Sequence, residues 1–462
     1  MKCWNKGNLV PIFSKYSALC GIFLLSMTVR AVIIDYRLCS LGTLLYDTDD
    51  KIYFGVARAV SEQSPAEIYT SGTDLLWVFS IGYPLMLSFF LKLLGSSELV
   101  AVATNSVCGS LASVVVYMIA RKVAHHKVIA ISSSLFFSHL SFFVWSNVLV
   151  LADASFALVT LLGFYLGLLL LENCSKTRFY IFYLVMGFAM FLRYEAALVF
   201  PVLLIVAIHS HGIQRLKRML LRKEHVKGMI LMLLFLFPQL AYNQVRFGNA
   251  LITGYAYWMG KPYHSPFVPG SNFTLPSVMK LDFMRFPLLL FRNWISIFYP
   301  QSISPVALPL FVLGLYDAIK RKRELCAIGY AWILIFLTFY SAYTPGTQAR
   351  YIPLSLFPAI IIIANGLSVL EQRLRGLGCS IAVVAIGAEA LFCLANLATN
   401  TEYMAWSWFV VSQNADSSRW FRLTPNAALS TIDYWMTWFA LPVSFSPLIV
   451  KLKSFRQKKA RI

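Results

Sequence analysis

An all-α, polytopic helical membrane protein is the fold class this sequence predicts, and three observations predict it. Of the 462 residues, 58% are hydrophobic and only 13% charged, about half the charged share of a soluble domain. Mean hydropathy is +0.68. Apolar runs of roughly 17–25 residues, the length that crosses a bilayer as a helix, recur along nearly the whole chain. A soluble globular enzyme is excluded. The formal charge of +20, from 40 Lys and Arg against 20 Asp and Glu, would suggest nucleic acid in a soluble protein; in a membrane protein it must first be read against the positive-inside rule.

Each element follows from its own stretch of chain. The first apolar run, Ala18–Ile34, has no small-residue cleavage site and meets Asp35, Tyr36 and Arg37 at once, so it stays as a span rather than a removed leader. Asp47-Thr48-Asp49-Asp50 then opens a helical pattern with Ile52, Val56 and Val60 at fourfold spacing. Leu75–Leu94 is apolar but carries Pro84 and Lys92, and is expected to lie in or dip into the interface. Spans follow at Leu99–Ala120, Val128–Ser146, Ala154–Leu171, Phe179–Leu192, Ala196–His211 and Gly228–Asn243. Phe286–Pro300, with Pro287 and Arg292, is a second interfacial candidate. Ser304–Ile319, Leu325–Tyr343, Tyr351–Leu370, Gly378–Leu397 and Tyr434–Val450 complete about twelve transmembrane helices.

The charges fix the orientation expected for these spans. With the N-terminus cytoplasmic, Arg121, Lys122 and Lys127, then Lys176 and Arg178, then Arg215 to Lys227, then Lys320 to Arg323, and the basic tail from Lys451 all fall inside. Counting Leu75–Leu94 as a span would turn most of those clusters outward, so the rule favours the interfacial reading and places both termini inside. No basic face is left for nucleic acid. The 8 cysteines are scattered, with neither a disulfide framework nor metal-ligand spacing.

Costly polar groups collect on the outer side. Three carboxylates in Asp47-Thr48-Asp49-Asp50 exceed what one helix cap needs, although each can serve as a cap or first-turn acid. Asp153 stands among apolar residues at the start of a span, where it requires a partner, water or a capping role. Arg193-Tyr194-Glu195 forms the next outer turn, readable as a local ion pair with an interfacial tyrosine. Beyond the seventh span, Asn243, Gln244, Arg246 and a polar, proline-rich stretch suggest an ordered lid loop over 244–303. Arg350 and Tyr351 open the tenth span, and a cation there runs against both the helix dipole and the positive-inside bias. Arginine suits bidentate phosphate recognition. A carboxylate suits proton abstraction or a divalent cation. Together they suggest a transferase with a lipid-phosphate leaving group.

The succession of motifs resembles the GT-C superfamily of integral membrane glycosyltransferases, in its protein O-mannosyltransferase and lipid A aminoarabinose transferase branch. The matching pieces are Asp49-Asp50-x-x-Tyr53-x-x-x-Ala57-Arg58, Gly82-Tyr83-Pro84 with Leu94-Gly95, Ala120-Arg121-Lys122, Leu151-Ala152-Asp153, Leu192-Arg193-Tyr194-Glu195-Ala196, Arg246-Phe247-Gly248-Asn249 and Ala349-Arg350-Tyr351-Ile352-Pro353. The resemblance implies a catalytic module over residues 1–370, with a first outer loop at 35–98, followed by C-terminal spans and a basic tail at 371–462. It implies transfer of a sugar from a polyprenyl-phosphate donor to a lipid, glycan or protein acceptor on the extracytoplasmic face, in a membrane such as the bacterial inner membrane.

By the same resemblance Asp49 takes the place of the family's first-loop carboxylate, a catalytic base or acceptor-positioning group, and Asp50 is its acidic neighbour. Asp47, Tyr53, Asp153, Arg193, Glu195, Arg246, Arg350 and Tyr351 are the substrate-binding candidates. No protein-bound metal is required, while a divalent cation, Mg or Mn, is compatible with Asp49 and a second acid. Two departures from the family are expected: Leu75-Leu76-Trp77-Val78-Phe79 replaces the Glu-Lys-Pro stretch of aminoarabinose transferases, and a span with a basic tail is expected where some relatives have a soluble C-terminal domain. The competing class is a transporter or flippase for a lipid-linked or anionic substrate, which predicts charge near the bilayer centre and interrupted helices. A noncatalytic scaffold would leave the acids as caps.

Overall fold

The computed structural model describes residues 9–45, 48–63, 80–250, 307–321, 323–343 and 352–373. Asp47, Arg350, Tyr351, most of the 244–303 loop, and the elements expected at Phe286–Pro300, Gly378–Leu397 and Tyr434–Val450 lie outside the described residues. Within them all regular structure is helical. The helices are α1 (Leu9–Leu41), α2 (Thr48–Glu62), α3 (Gly82–Leu94), α4 (Glu98–Ala124), α5 (Lys127–His139), α6 (Ser141–Asn147), α7 (Asp153–Glu172) and α8 (Lys176–Leu192). A 3₁₀ turn at Tyr194–Leu198 leads to α9 (Val199–His211), α10 (Ile213–Leu220), α11 (Lys223–Phe247), α12 (Ala307–Arg321), α13 (Arg323–Tyr343) and α14 (Ile352–Arg373). Among the described residues 6 helical stretches are long and apolar enough to cross a membrane: Ser17–Cys39, Glu98–Ala124, Asp153–Glu172, Tyr194–His211, Lys223–Val245 and Leu354–Gln372.

Several boundaries differ from those the hydropathy predicts, for physical reasons. Helix α1 runs to Leu41, beyond the expected end at Ile34, because hydropathy marks where the bilayer ends and not where hydrogen bonding stops. The first outer loop therefore begins inside a helix. The span expected at Val128–Ser146 is interrupted at Leu140, between α5 and α6. Pro84 does not break its helix: it sits in the first turn of α3, where no intrahelical N–H is needed. Helix α11 extends to Phe247 and ends on Gly248, whose φ of 70° is the left-handed cap that glycine adopts readily. Asn243, Gln244 and Arg246 thus belong to its last two turns and not to a loop.

The helices form two groups, each described by itself. The first is essentially α1–α8 with α11. In it α1 packs on α4 and α5, α4 on α5 and α7, α7 on α8, α8 on α11, and α3 on α2, α4 and α8. Chain direction alternates, so the end of α1, the starts of α4 and α7, and the ends of α6, α8 and α11 all meet at one end of the group. Helix α3 lies across that end. Ile81 at its start bonds to α11, and a Cβ on Gly82 would sit 2.1 Å from the Phe191 carbonyl oxygen at the end of α8. Its other end turns directly into α4 through Gly95–Ser97, with the Ser97 hydroxyl accepting from the Val100 N–H. At 13 residues it is an apolar helix shorter than the membrane-length stretches.

The second group is α9 with α12–α14. Helices α12 and α14 touch backbone to backbone: a Cβ on Gly314 would lie 1.8 Å from the Ile362 carbonyl oxygen. Only small residues allow this approach, which membrane helices use in place of a hydrophobic driving force. Asn365 then donates to the Gly314 carbonyl at 3.0 Å and to Asp317 at 3.2 Å. Trp332 of α13 stacks on Phe336 and donates to the Leu354 carbonyl at 3.0 Å.

Candidate functional site

Several dehydrated polar side chains of the first group, Asp50, Asn105 and Asp153 among them, lie at its shared end. Asp153 lies in the first turn of α7, one residue past the N-cap Ala152, which makes no side-chain cap bond. Its carboxylate is therefore available to a tertiary partner. That partner is Arg193, at the C-cap of α8, which donates from Nη1 to Asp153 Oδ1 at 2.7 Å and from Nη2 to Glu195 Oε1 at 3.3 Å. The three side chains are only 9–13% exposed. The guanidinium also lies 5.4 Å from the centre of the Phe156 ring, a favourable setting for a cation withdrawn from water. One arginine is thus fixed between two acids that are 40 and 2 residues away in sequence.

The acids of the first loop begin α2 as expected, with Asp49 and Asp50 in its first turn. Asp50 is fully buried and Asp49 partly so. Tyr53, one turn on, meets Tyr83 of α3 edge to face at 5.0 Å between ring centres, and Asp50 is close enough to the Tyr83 hydroxyl to act on it electrostatically. Tyr83 donates to Asn105 Oδ1 at 3.0 Å. Asn105 in turn donates to the carbonyls of Leu149 and Leu151 at 2.5 and 2.8 Å, and the chain enters α7 at Asp153 directly after them. A continuous set of contacts therefore leads from the α2 acids to the Asp153–Arg193 pair.

A second set closes the same end from the other side. Gln239 of α11 accepts from the Ile81 N–H at 2.8 Å and from the Ser80 hydroxyl at 3.0 Å. It donates to Asn243 at 2.9 Å, and Asn243 donates to the Ala250 carbonyl at 3.0 Å and to the Tyr194 hydroxyl at 3.5 Å. Ser80 also donates to the Phe191 carbonyl at 2.5 Å. Of the residues singled out by sequence, Asp153, Arg193 and Glu195 come into direct contact, and Asp49, Asp50 and Tyr53 join them at the same end. Arg246 is placed on the last turn of α11. Asp47, Arg350 and Tyr351 are outside the described residues. Among the described residues no three His, Cys, Asp or Glu side chains converge as a metal site.

The hydropathy reading overlooks the polar residues inside apolar runs. Arg30 and Arg37, seven residues apart on α1, are both fully buried. Arg30 donates to the Ser26 carbonyl and hydroxyl at 2.9 and 2.6 Å and to the Ser138 carbonyl at 3.4 Å, beside the interruption between α5 and α6. Arg37 bonds to the carbonyls of Val148 and Leu44. Asn105 and Gln239 are equally buried. The signal that could have found them is their cost: an amide or guanidinium within a span must face a partner.

Residues 80–242, about a third of the chain, match the family model described as dolichyl-phosphate-mannose-protein mannosyltransferase. No curated protein matches the chain. Among solved structures, the crystal structure of ArnT from Cupriavidus metallidurans bound to undecaprenyl phosphate is similar at 16% identity, over 95% of this chain and 73% of that one, with a TM-score of 0.49. The same protein in the apo state matches at 17% identity, over 94% and 72% of the two chains, with a TM-score of 0.49. The arabinosyltransferase EmbB from Mycobacterium smegmatis matches at 10% identity, over 93% and 41%, with a TM-score of 0.38.

Proposed function

We propose that this chain is a membrane-embedded glycosyltransferase that takes a sugar from a polyprenyl-phosphate donor and delivers it to a lipid, glycan or protein acceptor. One observation carries the reading: an arginine held rigid between Asp153 and Glu195 at the end of the bundle where α2 presents Asp49 and Asp50. The family match over residues 80–242 includes that arginine and its two acids, and supports a lipid-phosphate-linked donor. The reaction is displacement at the anomeric carbon. The acceptor oxygen forms its bond to that carbon and loses its proton to Asp49, while the bond from carbon to phosphate oxygen breaks and the phosphate departs with the electron pair. Arg193, with Arg350 and Arg246, offsets the charge gathering on the phosphate. A guanidinium already fixed by neighbours reorganises little as that charge develops.

The charge distribution along the chain supports an active site facing away from the cytoplasm and both termini cytoplasmic. The test is transfer of radiolabelled sugar by the purified chain in lipid nanodiscs, across a panel of polyprenyl-phosphate sugars and acceptors. Wild type transfers one of them and Asp49→Asn does not; equal transfer by both removes Asp49 from the chemistry. Mass spectrometry of envelope glycolipids and glycoproteins from a deletion strain then names the missing sugar.

A transporter remains the second reading on one specific observation, the buried Arg30 beside the interrupted α5–α6 helix pair. Flux of labelled lipid-linked sugar across proteoliposomes without covalent transfer would favour it.

A further inference from the structure

We propose that Arg37 is a positioning residue of the transfer site, tying the connection that delivers the α2 acids to the connection that delivers Asp153. This inference rests on the glycosyltransferase reading for its functional consequence, and on geometry alone for the tie itself. Arg37 ends the apolar part of α1 and is fully buried. Its Nη1 donates to the Val148 carbonyl at 2.5 Å and its Nη2 to the Leu44 carbonyl at 3.0 Å. The guanidinium lies 5.3 Å from the centre of the Trp145 ring, which adds an aromatic face to its setting.

What the two carbonyls belong to gives the bond its meaning. Leu44 lies in the link between α1 and α2, four residues ahead of Thr48, where the acid-bearing helix starts. Both of its backbone groups are held: its N–H donates to Glu98 Oε2 at 3.0 Å and its carbonyl accepts from Arg37. The Thr43 hydroxyl donates to the same Glu98 oxygen at 3.3 Å. Val148 begins the link between α6 and α7, whose next residues, Leu149 and Leu151, are held by Asn105. That link ends at Asp153. One planar fork therefore joins two connections that are 104 residues apart in sequence, each leading within five residues to a carboxylate of the site.

A lysine cannot make this joint. Its ammonium is a point charge on a flexible stem, whereas a guanidinium offers parallel N–H groups at a fixed spacing. A displacement of about 1 Å between reacting groups is enough to lower a rate on the order of 100-fold, so a joint that sets the α2-to-α7 spacing acts on turnover more than on donor capture, which falls to Arg193.

The experiment compares wild type, Arg37→Met and Arg37→Lys as full chains in lipid nanodiscs, by steady-state kinetics and by hydrogen exchange. In Arg37→Met, kcat falls roughly 100-fold with the donor KM within about threefold of wild type. Amides in 43–50 and 148–153 exchange at least about tenfold faster, while those in α8 keep their wild-type rates. Arg37→Lys, which keeps the charge, is intermediate in kcat and shows the same local loss of protection. Unchanged exchange in both links overturns the joint, and local loosening with wild-type kcat overturns its role in the reaction. If Arg37→Met loses protection throughout, Arg37→Lys decides: wild-type kcat and exchange there overturn the proposal. Should wild type transfer no sugar at all, the glycosyltransferase reading fails, and exchange alone still decides whether Arg37 makes the joint.

Discussion

The two ends of the first helix group carry the same kinds of residue and use them differently. At one end Arg193 sits between Asp153 and Glu195 with all three side chains 9–13% exposed, and Arg37, Asn105 and Gln239 hold backbone groups in the connections between helices. At the opposite end Lys122 pairs with Glu172, whose side chain is 51% exposed. There Arg222 reaches the Cys174 carbonyl and Arg121 the His125 carbonyl at the surface. A solvated pair contributes about 0–1 kcal/mol, and the basic clusters at that end satisfy the positive-inside rule without needing fixed geometry. A dehydrated charge tolerates no such looseness: with its partner removed it is destabilising by about 3–5 kcal/mol. The Asp153–Arg193–Glu195 cluster is therefore held in one orientation, whereas the exposed basic groups at the opposite end need only their sign.

Substitutions can break that contrast in graded steps. The largest effect on activity is expected for Asp49→Asn, with transfer in nanodiscs down by roughly 100-fold or more because the acceptor proton loses its base; thermal unfolding should be nearly unmoved. Arg193→Ala should lower both. Leaving Asp153 and Glu195 dehydrated without their shared cation is expected to cost about 3–5 kcal/mol in detergent unfolding, and a combined Asp153→Leu, Arg193→Met, Glu195→Gln variant should recover most of the stability and none of the transfer. Failure of the triple variant to recover would mean that the cluster does more than neutralise itself.

Gln239→Leu removes the acceptor of the Ile81 N–H and Ser80 hydroxyl and should be destabilising by about 1–3 kcal/mol. Faster hydrogen exchange at the start of α3, with α7 unaffected, would localise the damage. At the other end, Lys122→Gln should change stability by less than about 0.5 kcal/mol and leave transfer unchanged. A large effect there would erase the distinction between the ends.

The sequence predicted the end of the bundle that matters better than it predicted the joints within it. Asp153, Arg193 and Glu195 were identifiable because a charge beside an apolar run is conspicuous whatever it touches. Their contact was foreseen only between Arg193 and Glu195, which are two residues apart; the bond to Asp153 spans 40. Arg30, Asn105 and Gln239 disappear in a hydropathy average, since one polar residue scarcely lowers the mean of a 20-residue window, and Arg37 is visible only as part of the polar flank of the first run, without its partners. The interruption at Leu140 was equally hidden, because both sides of it are apolar.

By itself the sequence determined the membrane class, the order of apolar helices and the residues whose charge needs explaining. These follow from transfer free energies, which add residue by residue along the chain. Tertiary structure alone decided which carboxylate meets which guanidinium, that Arg37 joins two distant links, and that α11 carries Asn243 and Arg246 on a helix. Those outcomes depend on hydrogen bonds between helices, whose partners are set by packing and have no fixed separation along the chain.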